Sequence, residues 1–156
     1  MKTHNSPVTA VLLAGGWIGF SEFFRNELLL KHHWIDHYAT LGLPFPSTPV
    51  NGLLWMAWSM IYASLIYRLM RTMAPKEAIV LSWAFGFILM WIVLFNLGVL
   101  PVEILILAIP LSIIEVVVAT LIFKRMLPRP EVGGSTAPSS GDFEKINSSF
   151  TLSSPI

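Results

Sequence analysis

Four apolar runs, roughly residues 8–30, 49–70, 75–99 and 101–123, dominate the chain, and each is close to the ~20 residues that a helix needs to cross a hydrocarbon core. An unpaired backbone group in lipid costs several kcal/mol, so a helix is the economical reading of every run. Of the 156 residues, 54% are hydrophobic and 12% are charged, and a water-soluble domain of this size has too little interior to hide so much apolar surface. The sequence therefore predicts an all-α, integral membrane four-helix transmembrane bundle over residues 1–127. Residues 128–156 are rich in Ser, Pro and Gly without apolar periodicity, which predicts a disordered cytoplasmic tail. The first partner of such a chain is the lipid bilayer.

The run boundaries carry chemical marks. Thr48-Pro49, Ala74-Pro75 and Leu100-Pro101 each place proline at a plausible first helical position. Glu77 and Glu103 follow the last two, where a carboxylate favours a helix N-terminus. The first run follows a short segment with one lysine and lacks a small-residue cleavage site before a soluble domain, so it reads as a retained helix. Residues 98–100 alone separate the last two runs, which predicts a tight antiparallel hairpin. Between the first two runs, Leu30, Trp34, Ile35, Tyr38 and Leu41 recur at helical spacing among polar residues, and Gly42 with Pro44 supplies a stop. This segment is expected to form an amphipathic helix in the outer interface.

Lysine and arginine set the orientation. Arg68, Arg71 and Lys76 flank the second connection, Lys124, Arg125 and Arg129 follow the last run, and Lys2 precedes the first. Only Arg25 and Lys31 fall to the opposite side, so both termini are expected in the cytoplasm. Short loops and small size favour a bacterial inner membrane. The sequon at Asn147-Ser148-Ser149 would then never meet the glycosylation machinery.

Several function classes drop out. A net charge of +1 provides no field for nucleic acid, and no basic stretch is interleaved with aromatics. Without cysteine there is no disulfide, thiolate nucleophile, iron–sulfur cluster or cysteine-ligated zinc. No phosphate-binding glycine loop, serine elbow or H-E-x-x-H motif occurs.

Three polar groups stand out. Glu115 lies well inside the fourth run with Ser112 three residues before it and Pro110 upstream, and burying its charge in lipid costs ~2.5–3.5 kcal/mol on insertion scales. It is expected to face the bundle interior, as part of a proton or cation path or as a neutral hydrogen-bonded tie between helices. Glu22, Arg25 and Asn26 share a helical face by their spacing of three and four. Glu22 falls ~21 Å along a helix that enters at Val8, which fits an interfacial ion pair or, with Asn51 and Asn96, a small polar pocket open to the outside. His32, His33, Asp36 and His37 form H-H-x-x-D-H. His33 and His37 on one helical turn, with Asp36, can chelate a divalent transition metal, although a third strong ligand is needed. The plainer reading is the wet face of an interfacial helix.

Small residues recur four apart at Gly15/Gly19, Ser59/Ala63, Ser82/Gly86 and Ala108/Ser112, which suits close helix packing within the bundle or a homo-oligomeric contact. Trp34, Trp55 and Trp58 suit the outer aromatic belt, and Trp17, Trp83 and Trp91 suit the bundle interior. The first functional expectation is a non-enzymatic interaction module, membrane-complex partner, or small channel or carrier without a cofactor, whose polar interior is Glu115 with Glu22, Arg25 and Asn26. The alternative is a membrane enzyme or metal-binding protein using His33, His37 and Asp36.

Overall fold

A computed structural model describes residues 6–127. The expected tail at 128–156, with Lys2, His4, Arg129 and the sequon, lies outside the described residues. The architecture is five helices in chain order, with no strand among the described residues: α1 Pro7–Leu29, α2 Lys31–Thr40, α3 Pro49–Thr72, α4 Pro75–Asn96 and α5 Val102–Met126. All but α2 are long and apolar enough to cross a membrane, so this is an all-α membrane protein built on a four-helix bundle.

The helix starts follow from local chemistry. Ser6 Oγ accepts a bond from the Val8 N–H at 3.3 Å, satisfying one orphan donor of α1. Asn51 Oδ1 accepts from the Thr48 N–H at 3.0 Å, and Glu77 Oε2 accepts from the Ala74 N–H at 3.2 Å. Both side chains thus close the first turn behind a proline at the helix start. Pro101 instead stays extended and precedes a 3₁₀ turn, Val102–Ile104, that opens α5. The third span stops at Asn96, short of residue 99, because Gly98 takes φ +70°. That left-handed conformation ends a helix at little cost only in glycine.

Packing is closest along α1, which lies against α3 and α5, and along the first half of α4, which lies against the same two helices. Small side chains make this possible. A Cβ on Gly15 would come within 2.5 Å of Met60 Sδ, and one on Gly86 within 2.4 Å of the Tyr62 ring. These glycines serve contacts inside the chain. Around them Ala10, Ala14, Ile18, Ala63, Ile66 and Ala119 are sealed from solvent, whereas Leu53, Ile61 and Ile106 point outward at 70%, 72% and 79% exposure. Large apolar residues outside and small ones between helices are the arrangement that lipid favours. A second cluster of Leu30, Leu100, Ile104 and Ala108 packs with Trp34 and Trp91 at the α2 end. There a ring nitrogen of His37 lies 3.0 Å from the Gly98 carbonyl oxygen, tying α2 to the α4–α5 turn.

Two segments depart from α geometry. Phe24–Leu29, the end of α1, and Ala84–Ile88, in the middle of α4, are π-helical. Such segments widen the helix and are frequent at functional sites, and both lie beside the polar residues considered next.

Candidate functional site

Glu22 and Arg25 sit one turn apart on α1, and the spacing brings the guanidinium Nη2 into an ion pair with Glu22 Oε1. Arg25 Nη1 also reaches Glu115 Oε2 on α5 at 3.2 Å. Asn26 Nδ2 donates to Glu22 Oε2 at 2.8 Å and accepts, through Oδ1, a bond from Trp34 Nε1 at 3.1 Å. The guanidinium carbon stands 5.1 Å from the centre of the Phe87 ring, a cation–π distance. Phe87 belongs to the π segment of α4 and Arg25 to that of α1, so the two widened turns meet across the cluster. Glu22, Arg25 and Glu115 are 3%, 3% and 0% exposed. The ion pair therefore lies inside the bundle, not at an interface.

The cluster is unevenly matched. One guanidinium serves two carboxyl groups, and Glu115 Oε1 has no hydrogen-bond partner among the described residues. Neutral ties surround it. Trp17 Nε1 donates to the Glu115 carbonyl at 3.1 Å. The Tyr62 hydroxyl donates to the Ser82 carbonyl at 2.8 Å. Ser112 Oγ accepts from Trp83 Nε1 at 2.9 Å and donates to the Ile109 carbonyl at 2.8 Å, on the turn that contains Pro110. Ser112 thus satisfies an indole and a helix carbonyl and makes no bond to the carboxyl cluster.

A cavity of about 1130 Å³ opens above Glu22, Arg25 and Asn26 at the α2 end. Its walls carry Trp34, Trp55, Trp58, Trp91, Tyr38 and Phe45. It has room because the last turns of α4, beyond the π segment, make far fewer close approaches to α3 and α5 than the first half of that helix does. A smaller hollow of about 370 Å³ at the other end is lined by Tyr67, Arg71, Phe123 and Lys124. Between the two, Ile18, Ala63, Ile66 and Ala119 pack at 0% exposure.

The sequence-derived candidates divide accordingly. Glu22, Arg25, Asn26 and Glu115 come together although 90 residues separate Arg25 from Glu115. Asn51 lines the cavity while its side chain caps α3, and Asn96 is exposed at the end of α4 and does not join it. The histidines of α2 take separate partners. His37 contacts Gly98, His33 Nδ1 faces Glu103 Oε1 at 3.9 Å, and Asp36 is exposed. Among the described residues no three His, Asp or Glu side chains converge as metal ligands would. Phe87 and Trp91, part of the site through ring contacts, carry no advance signal beyond aromaticity within an apolar run.

Comparison with known protein families, curated proteins and solved structures finds no match to this chain. The fold and the site describe a helical membrane protein of four candidate spans, with a buried ion cluster at the base of an aromatic cavity. Chemically, the cluster can hold a proton or a second cation, since its carboxyl groups outnumber its base.

Proposed function

We propose that the protein is a small, non-enzymatic carrier whose solute enters the aromatic cavity from the outer face and meets Glu22, Arg25 and Glu115 at its floor. One observation carries this reading: the cavity ends on the only buried ion cluster among the described residues. Intramembrane carboxyl groups are costly and mark ion or proton pathways. A carrier suits the site better than an open channel, because closed packing around Ile18 and Ile66 separates the two hollows. In this reading the bundle of residues 1–127 sits in a bacterial inner membrane with Arg68, Arg71, Lys76, Lys124 and Arg125 at the cytoplasmic end. Residues 128–156 form a cytoplasmic tail. The metal-binding alternative has no converging third ligand among the described residues to support it.

The chain has no cysteine, so single cysteines report access directly. Gly52→Cys at the mouth and Leu94→Cys in the wall should react with a membrane-impermeant thiol reagent added outside cells, and Ile61→Cys on the lipid face should not. In proteoliposomes with an internal pH dye, the wild type should show a solute-coupled proton flux and Glu115→Gln should lose that flux. Failure of both cavity cysteines to label from either side, or equal flux in Glu115→Gln, would overturn the carrier reading.

A further inference from the structure

We propose that the cavity binds a monovalent organic cation with aromatic or bulky apolar substituents, and that this cation and a proton compete for the one negative charge that Arg25 leaves unbalanced. The proposal rests on the carrier reading and names its solute class. Three of the packed helices, α1, α3 and α5, and the π segment of α4 present groups to the cluster. Glu22 and Arg25 come from α1 and Glu115 from α5. From α3 comes Tyr62, whose phenol is committed to the Ser82 carbonyl, and from α4 come Phe87 and Ser82, with nothing ionisable among the described residues of that helix in contact. Further out, Lys31 and Glu27 pair at 2.7 Å and cancel. With both carboxyl groups ionised the cluster carries one surplus negative charge. An uncompensated charge in an apolar interior is strongly disfavoured, so a proton or a bound cation must sit there.

The chemistry of the walls selects among cations. An anion finds no free positive group among the described residues of the cavity: Lys31 is paired with Glu27, both terminal nitrogens of Arg25 are held by carboxylates, and a face of its guanidinium lies over Phe87. A hard metal ion needs several converging oxygen ligands, and among the described residues no three His, Asp or Glu side chains converge. What lines the approach is four tryptophans, Trp34, Trp55, Trp58 and Trp91, with Tyr38 and Phe45. Aromatic faces attract weakly hydrated organic cations, quaternary ammonium groups above all. Met56 and Met90 add adaptable apolar surface. The volume of about 1130 Å³ also exceeds the roughly 300–1,000 Å³ common for small-molecule sites, so it admits a bulky ion. When the cation enters, a carboxyl proton leaves Glu22 or Glu115 and the charge of the site is unchanged.

Tetraphenylphosphonium and tetraphenylborate test this, because they share shape and differ in sign. Purified full-length protein in nanodiscs should bind the phosphonium saturably at one per chain and not bind the borate. Affinity should rise by up to about tenfold per pH unit where one proton is displaced, and calorimetry in buffers of different ionisation heat should register that proton. Glu22→Gln should weaken binding at least tenfold and flatten the pH dependence. Trp58→Leu, which leaves the charges alone, should weaken binding several-fold and preserve the pH slope. Equal binding of both ions, or phosphonium binding indifferent to Glu22→Gln, would overturn the proposal. If the phosphonium does not bind while Leu94→Cys still labels from outside and Glu115→Gln still abolishes flux, the solute class is wrong and the carrier reading stands. If labelling and flux fail as well, both fall.

Discussion

Arg25→Met should strongly destabilise the bundle, and the partners of Arg25 set the size of the effect. Removing the guanidinium leaves Glu22 with its bond from Asn26 at 2.8 Å but strips Glu115 of its one side-chain ion pair. Truncating one member of a buried ionic group costs about 3–5 kcal/mol, because the remaining charge stays buried without compensation. Loss of the contact with Phe87 adds about 0.5–2 kcal/mol. Protonation of the two carboxyl groups limits the damage, so we expect a net loss of about 3–5 kcal/mol. Glu115→Gln is a contrasting case. The amide oxygen still accepts from Arg25, and Glu22 and Arg25 remain as a one-to-one pair, so stability should change by less than about 1 kcal/mol. Adding Glu22→Gln and Glu115→Gln to Arg25→Met removes every charge from the cluster and should restore most of the loss. Unfolding in SDS mixed micelles, followed through the six tryptophans, measures all of these. If Arg25→Met falls within about 1 kcal/mol of wild type and the triple variant is no better, Arg25 does not neutralise the carboxyl groups.

Other substitutions probe packing and the histidines. Gly86→Ala drives a methyl group to 2.4 Å from the buried Tyr62 ring, so thermal melting should show a loss of about 1–3 kcal/mol. Combining it with Tyr62→Ala should cost less than the sum of the two single changes, and strict additivity would refute the contact. The separate partners of His33 and His37 predict that EDTA leaves the melting temperature unchanged and that zinc titrated onto the protein gives no saturable site. A zinc isotherm lost in His33→Ala would contradict this.

The four spans were legible because hydropathy and length act locally, and Pro49 and Pro75 mark their helix starts for the same reason. The Glu22–Arg25–Asn26 face was legible too, since spacings of three and four define one side of a helix. Its depth was not. A charged residue near the end of an apolar run reads equally well as interfacial, and only the arrival of Glu115 from a distant helix makes it buried. The π segments at Phe24–Leu29 and Ala84–Ile88 have no residue signature, and neither has the divergence of α4 that opens the cavity. By position in the sequence Trp34, Trp55 and Trp58 suit an outer belt and Trp91 the interior. All of them line one cavity, because that cavity reaches from the end of the bundle to its buried floor.

The ion cluster joins the first span to the last. With 90 residues between Arg25 and Glu115, synthesis at 5–20 residues per second brings α5 to the membrane on the order of 5–20 s after α1. Throughout that interval α1 must hold Glu22 and Arg25 without their third partner, relying on the local pair and on Asn26. Insertion of α5 then acts as a clasp. It delivers the last carboxyl group to Arg25, so the ion cluster is complete only once the final span is in place.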